Sequence, residues 1–585
     1  MRSRPKLVIV IFLTLSALVL KASDQKTSSD KPSPTFTSQT ELVLVPTVVT
    51  DKSGQHVSGL TKEDFQVLDQ RRPQEIKVFE EITTSSGQPQ AKSSIVNGEF
   101  SNYVNAGTLD SPRRVTIIVF DLVNMPTLKQ QSARKALLQF LSETASANEP
   151  TAVYSISRKG VSVISDFTTD PKVLAEALTK LKTGHETIVS GMERTMHEGI
   201  EGGGAVSPNM MNAMVSTSTE GGKMASILLA LEQLDNQLQL NISSMERRFA
   251  VDYTLDAMHE IAQACAAIPG RKSLLWVGGG FPFDVSPNDM MLDPGAAPTI
   301  PSGRSGLDQV LSLYLRVWRD LNDAQVSIYP IDVRGMYDPG LLGPNVRNTD
   351  GQYQRWSRFQ QQQMYDTERA FAQATGGKPY YGSNDLKAGF EQATNDSSHY
   401  YLIGYYIKPE NAAKIQWHEV QVKPLRKGID IRARGGYFYR PTAADLQQSR
   451  QHDLSAGLLS PIDFTAIPVT VRWKQKSPVA SGNQNVAFEI VMPADFAAIN
   501  EVDNNHLMSD IIVQAKKLDG TPVGQPLSRT MDAHLNPAQV QQVKEHGLTY
   551  ANNIELPKGD YLVRFVVRDG LNGHMGSVTA PLKVE

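Results

Sequence analysis

The stretch Val115-Thr116-Ile117-Ile118-Val119-Phe120-Asp121-Leu122-Val123-Asn124-Met125 decides how this chain is read. Residues 115–120 are almost continuously apolar, the pattern of a strand covered on both faces in a parallel sheet, because a strand with one wet face alternates instead. The run stops at a carboxylate, and Leu128 to Leu141 then carries helical spacing. The alternation goes on downstream. Strands are predicted at Thr151–Ile156, Val161–Ile164, Ser273–Val277 and Val326–Ile331. Helices are predicted from Asp170-Pro171 to Lys182, across Lys223–Ala267 up to Pro269-Gly270, and over Leu307–Leu321, Tyr365–Thr375 and Asp385–Ala393. Strands alternating with helices predict an α/β domain over residues 113–397: an open, mostly parallel, Rossmann-like sheet flanked by helices.

On either side the period changes to two. Residues 40–84 and 398–440 each read as a small β unit, too small to bury a face alone, so the two are expected to pair as halves of one β domain. Residues 461–585 read as strands separated by Gly, Pro and Asn turns, which predicts a C-terminal β-sandwich. Polar stretches at 23–39, 85–112 and 441–460 read as linkers. Residues 183–224 form an insertion holding Met192, Met196, Met210, Met211, Met214 and Met224, a composition suited to an adaptable protein-contacting loop.

Composition narrows the function classes. The 585 residues are 40% hydrophobic and 20% charged, with a net charge of -3 that argues against a nucleic-acid binder. Arg2, Arg4 and Lys6 precede the apolar run Leu7–Leu20, and Ala22 offers a small residue for cleavage, so residues 1–22 read as a signal peptide. The mature chain is then expected to be secreted or periplasmic, without a membrane span. The single cysteine, Cys265, lies in an apolar helical stretch and reads as a buried hydrophobe.

Several short motifs add a resemblance. They are Val49-Thr50-Asp51 with Gly54, Gly59-Leu60-Thr61 with Glu63-Asp64-Phe65, and Asp166-Phe167-Thr168. Pro269-Gly270-Arg271-Lys272, Tyr329-Pro330-Ile331-Asp332, Tyr401-Leu402-Ile403-Gly404-Tyr405-Tyr406 and Arg434-Gly435-Gly436-Tyr437 follow. With these, residues 41–440 resemble the von Willebrand factor A-related family of acidobacteria. The resemblance implies a metal-ion-dependent adhesion site that opens with Asp-x-Ser-x-Ser after the first strand. Here only Asp121 matches, with Val123 and Met125 at the two Ser positions. The remaining candidate oxygens are those of Asn124, Thr254 and Asp332. Hard cations such as Mg²⁺ or Ca²⁺ need a fuller oxygen set, so the site is expected to be degenerate and no cofactor is expected.

No Gly-x-Ser-x-Gly elbow, His-Glu-x-x-His pair or P-loop is present. The glycine run Gly278-Gly279-Gly280 reads as a tight rim turn. The expectation is an exported, non-catalytic protein-binding or scaffolding protein with an unidentified protein partner. Two alternatives stand beside it: a divalent-cation-dependent adhesin with a shifted site, and an envelope-polymer hydrolase whose site escapes sequence patterns.

Overall fold

A computed structural model describes residues 41–83, 98–102, 115–143, 150–181, 245, 248–281, 304–335, 352–396, 399–407, 417–438, 443–479, 482–501 and 503–585. The expected signal peptide, the 23–39 spacer and the 183–224 insertion lie outside the described residues. The architecture corrects the expected fold class. The chain is mostly β, with 45% strand against 29% helix, rather than an α/β, von Willebrand A-like protein. Among the described residues four of the five sheets are antiparallel, and parallel strand pairing is confined to one. The apolar runs at 115–120, 273–277 and 326–331 stand out in the sequence because both faces of those strands are covered. They belong to only a few of the 21 strands among the described residues, and many of the others bury one face and leave weaker signals.

The sheet that holds those runs has five strands in the order Val326–Asp332, Lys272–Gly278, Val115–Asp121, Thr151–Ser157, Gly160–Thr168. The first four are parallel and the last is antiparallel. Because side chains alternate across a strand, Ile117 and Val119 enter one core with Val251, Met258, Trp318 and Phe371, while Ile118 and Phe120 enter another with Leu137, Leu174 and Phe390. All seven residues of Val115–Asp121 are buried. The carboxyl ends of the strands therefore open onto a rim whose polar groups must find partners inside the protein.

The strands before and after this sheet pair with each other. Glu41–Asp51 lies between His399–Ile407 and Ile429–Ala433, and Val78–Thr83 completes the sheet. A second sheet joins Phe65–Asp69 to Trp417–Pro424, with Arg72–Gln74 and Gly436–Phe438 at its edges. Val45, Val49, Val67, Tyr401, Ile403 and Val420 share the core between the two sheets.

Residues 461–585 form a β-sandwich. Thr470–Pro478, Gln484–Met492 and Leu548–Leu556 make one sheet, and Pro522–His534, His506–Lys517, Gly559–Asp569 and Met575–Val584 the other. Two expected linkers are corrected here. Residues Glu99–Ser101, inside the 85–112 stretch, add a fourth strand to the first sheet by pairing with Thr470–Arg472. Asn102 fixes that strand: its Nδ2 donates to the Phe464 (2.5 Å) and Ile467 (2.9 Å) carbonyls, and its Oδ1 accepts from Val469 N (2.7 Å). Ala443–Leu459, inside the 441–460 stretch, is a 17-residue helix. Its buried side chains include Asp453 as well as Leu446, and a hydropathy pattern does not register a helix held by charge.

Candidate functional site

In an open sheet with parallel strands, ligands sit beyond the strand carboxyl ends, so the rim residues are the first place to look for chemistry. Asp121 ends the central strand with no exposed surface. Its Oδ1 accepts from the backbone N of Val123 (3.1 Å) and of Asn124 (3.0 Å). Its Oδ2 accepts from Asn124 Nδ2 (2.7 Å) and from the indole Nε1 of Trp276 (2.9 Å) on the neighbouring strand. Asn124 Nδ2 also donates to Thr254 Oγ1 (2.9 Å) on the helix 248–265. Three of the four residues singled out in the sequence thus meet. Burial pushes the Asp121 carboxyl up from its ordinary value, and the four donors oppose that shift.

Asp332, the fourth, is elsewhere. It ends a strand two places away, about 10 Å at ~4.8 Å per strand, so it cannot share an ion with Asp121. Its Oδ1 accepts from Arg334 N (2.9 Å) and Nε (2.8 Å), and its Oδ2 from Arg334 Nη2 (2.8 Å), a forked ion pair closed within one turn of chain. Glu368 is buried beside this pair; burial and the Asp332 charge push its carboxyl well above the usual range, against the pull of Arg334. Aromatic contacts run between the two polar groups: Trp276 to Phe281 at 5.9 Å and Phe281 to Phe371 at 4.9 Å, centroid to centroid. Phe371 lies three residues beyond Glu368 on one helix.

The residues do not fit a divalent cation. Mg²⁺ or Ca²⁺ needs several converging oxygens with free lone pairs. Both Asp121 oxygens already take two donors each, both Asp332 oxygens face a guanidinium, and Trp276 and Asn124 aim N–H groups where a cation would have to approach. No group of three or more His, Cys, Asp or Glu among the described residues is placed to hold a metal. Two glycines of the run are explained by space, and Gly280 by its positive φ of 98°. A Cβ on Gly278 would sit 3.2 Å from Asp121 Cβ, and one on Gly279 would collide with the Asn124 carbonyl.

No family model and no curated protein matches this chain. Its site is therefore assigned from its own geometry.

Many of the motif residues prove to be fasteners. Arg271 is buried between the five-stranded sheet and the N-terminal β domain, donating to the Tyr329 hydroxyl (3.0 Å), the Gly376 carbonyl (2.6 Å) and the Pro46 carbonyl (3.5 Å). Tyr405 and Tyr437 both donate to Asp69 Oδ2, at 2.9 and 2.8 Å. Tyr401 accepts from Leu60 N (3.2 Å) and donates to the Val57 carbonyl (2.9 Å). Cys265 is fully buried, and burial pushes its thiol up to about 12, the state of an inert thiol.

Sequence reasoning missed Trp276, Arg334 and Glu368 at the rim, and a charged relay at the junction with the C-terminal sandwich. In that relay Arg316 pairs with Asp453 Oδ1, whose Oδ2 accepts from Arg568 Nε (2.8 Å). Arg568 lies 3.7 Å from Asp510, which takes a forked pair from Arg450 (2.8 and 2.5 Å). His259 Nδ1 and Asp320 Oδ2 lie 2.6 Å apart alongside, both buried. These partners are 58 to 137 residues apart in sequence, and no local spacing announces them.

Proposed function

We propose that this chain is an exported, non-catalytic protein-binding or scaffolding protein, working in the periplasm or outside the cell. The observation that carries the reading is the saturation of the two rim aspartates: every carboxylate oxygen of Asp121 and Asp332 is already engaged by donors of the chain itself. Aspartates engaged in this way leave few free lone pairs for chelating an ion, so the rim is read as shape and contact surface. The 1–22 segment supports export by its basic start and apolar run, and no helix among the described residues is long and apolar enough to cross a membrane.

Calorimetry and thermal unfolding with Mg²⁺ or Ca²⁺ at about millimolar concentration test the reading directly. The expected result is no heat and no shift in Tm. Heat that disappears in Asp121→Asn would replace it with the cation-dependent adhesin. The partner-binding half is tested by comparing exported proteins retained by the full chain and by a chain lacking residues 183–224. Loss of a saturable partner on deletion supports the assignment of that loop; equal binding by both chains removes it.

A further inference from the structure

The helix Ala443–Leu459 is one of the contacts between the C-terminal sandwich and the helix 248–265, beside the bonds that Gln263 accepts from Met575 N and Thr465 N, and it meets a carboxylate that no cation among the described residues bonds. Glu260, on the helix 248–265, is half-buried and accepts from the Ser460 hydroxyl at 2.6 Å. Asp256, His452 and Arg564 act on its charge directly, while Asp252, Asp463 and Lys516 act on those groups, and the six come from five elements. Asp256 and Asp252 lie one and two turns back on its own helix. His452 is on the helix Ala443–Leu459, Asp463 on the segment that follows, Arg564 on the strand Gly559–Asp569 and Lys516 on His506–Lys517.

None of the cations bonds to it. Arg564 spends its guanidinium elsewhere: Nε on the Gly457 carbonyl (3.0 Å), Nη1 on Asp463 and Thr579 Oγ1 (3.0 Å), Nη2 on the Ile462 carbonyl (2.6 Å) and Ser577 Oγ (2.8 Å). His452 Nε2 is bound to Asp256 Oδ1 (2.9 Å), and Lys516 Nζ to the Leu458 carbonyl (2.9 Å). Among the described residues an ionised Glu260 thus has one hydroxyl as its hydrogen-bond partner, and a second carboxylate lies one turn away.

We propose that Glu260 is a proton-operated catch between the helix 248–265 and the Leu459–Ser460 end of the bridging helix. With its proton the contact between Glu260 and the Leu459–Ser460 end is favoured; without it that contact loosens. Burial pushes its carboxyl up to about 7 from an ordinary 4.5, with Asp256 adding to the rise and Ser460, Arg564 and His452 opposing it. The direction follows from linkage. A carboxyl raised in the closed form favours closure most at low pH, and the advantage is lost as pH climbs from its ordinary value through the raised one. His452, raised by its bond to Asp256, works in the same direction.

The experiment is hydrogen–deuterium exchange on the full chain, reading the opening constant of amides in residues 443–460 after correction for intrinsic rates. Between about pH 5.5 and about pH 8 the opening constant should rise about 20-fold in the wild type. Glu260→Gln, which keeps the shape and removes the charge, should flatten that rise. Ser460→Ala, lacking the hydroxyl donor, should move the transition to higher pH. The proposal is overturned by wild-type protection that does not change with pH, or by a Gln variant that keeps the wild-type profile.

Discussion

Replacing Asp121 by Ala removes the acceptor for four donors in a site with no exposed surface. Asn124 Nδ2 retains Thr254, but the backbone N–H groups of Val123 and Asn124 and the Trp276 indole are left without partners. A buried donor stranded in this way costs about 1–3 kcal/mol, and partial relaxation of the loop keeps the sum near about 4 kcal/mol. For a unit of 150–250 residues each kcal/mol is about 2–4 °C, so the five-stranded-sheet unit should lose about 8–16 °C in Tm. Differential scanning calorimetry is the assay, because it resolves separate transitions where sub-structures unfold in turn. The opposite expectation holds for an empty cation cradle, where removing an unpaired carboxylate relieves repulsion and leaves stability equal or higher. A Tm within about 2 °C of wild type would therefore refute the saturated-rim argument and the function built on it.

Further predictions follow from the same packing. Asp453→Asn removes the anion shared by the buried Arg316 and Arg568, leaving Arg568 only the longer pair with Asp510, so urea unfolding should show a loss of about 3–5 kcal/mol; a change under about 1 kcal/mol would mean the relay does not stabilise the junction. Gly279→Ala drives a methyl group into the Asn124 carbonyl and should cost about 1–3 kcal/mol by the same method, an effect that a free rim turn would not show. Cys265 should resist thiol reagents in the native chain and react at full stoichiometry once denaturant is added; rapid native labelling would contradict its burial.

What the sequence revealed depended on how each residue is buried. Val115–Phe120 could be placed because apolar side chains on both faces leave a continuous run. The strands around 41–51 and 399–407 were legible as strands by alternation, though the overall balance of the chain was not: the apolar runs of one sheet outweighed a larger number of half-wet strands. Asp121, Asn124 and Thr254 could be proposed as neighbours through the resemblance, yet the same resemblance hid Trp276. An indole in a buried strand reads as filler until its N–H is found aimed at a carboxylate. Asn102 and Ala443–Leu459 were unreadable for a related reason, since both sit in polar stretches whose partners are 362 or more residues away or lie on charged side chains of other strands.

This difference has a physical root. Apolar burial scales with area and repeats with the period of the element, so it leaves a local trace in sequence. A buried ion pair is stable only when its geometry and remaining hydrogen bonds are all satisfied, and those conditions are met by residues from distant segments. The junction of this chain is of the second kind: Arg316, Asp453, Arg568, Asp510 and Arg450 come from four elements and alternate in sign without an apolar pattern among them. A contact built this way is specific in orientation but depends on every charge being present, and Glu260 lies at its margin, accepting from the Ser460 hydroxyl. It follows that perturbing charge, by pH or by substitution, should move the C-terminal sandwich before it disturbs either hydrophobic core. In calorimetry at about pH 8 the first transition should then be the one that Glu260→Gln raises, with the transition of the five-stranded-sheet unit unmoved. A Gln variant that shifted both transitions equally would show that the junction and the cores form one cooperative unit, and that no separate release of the sandwich exists.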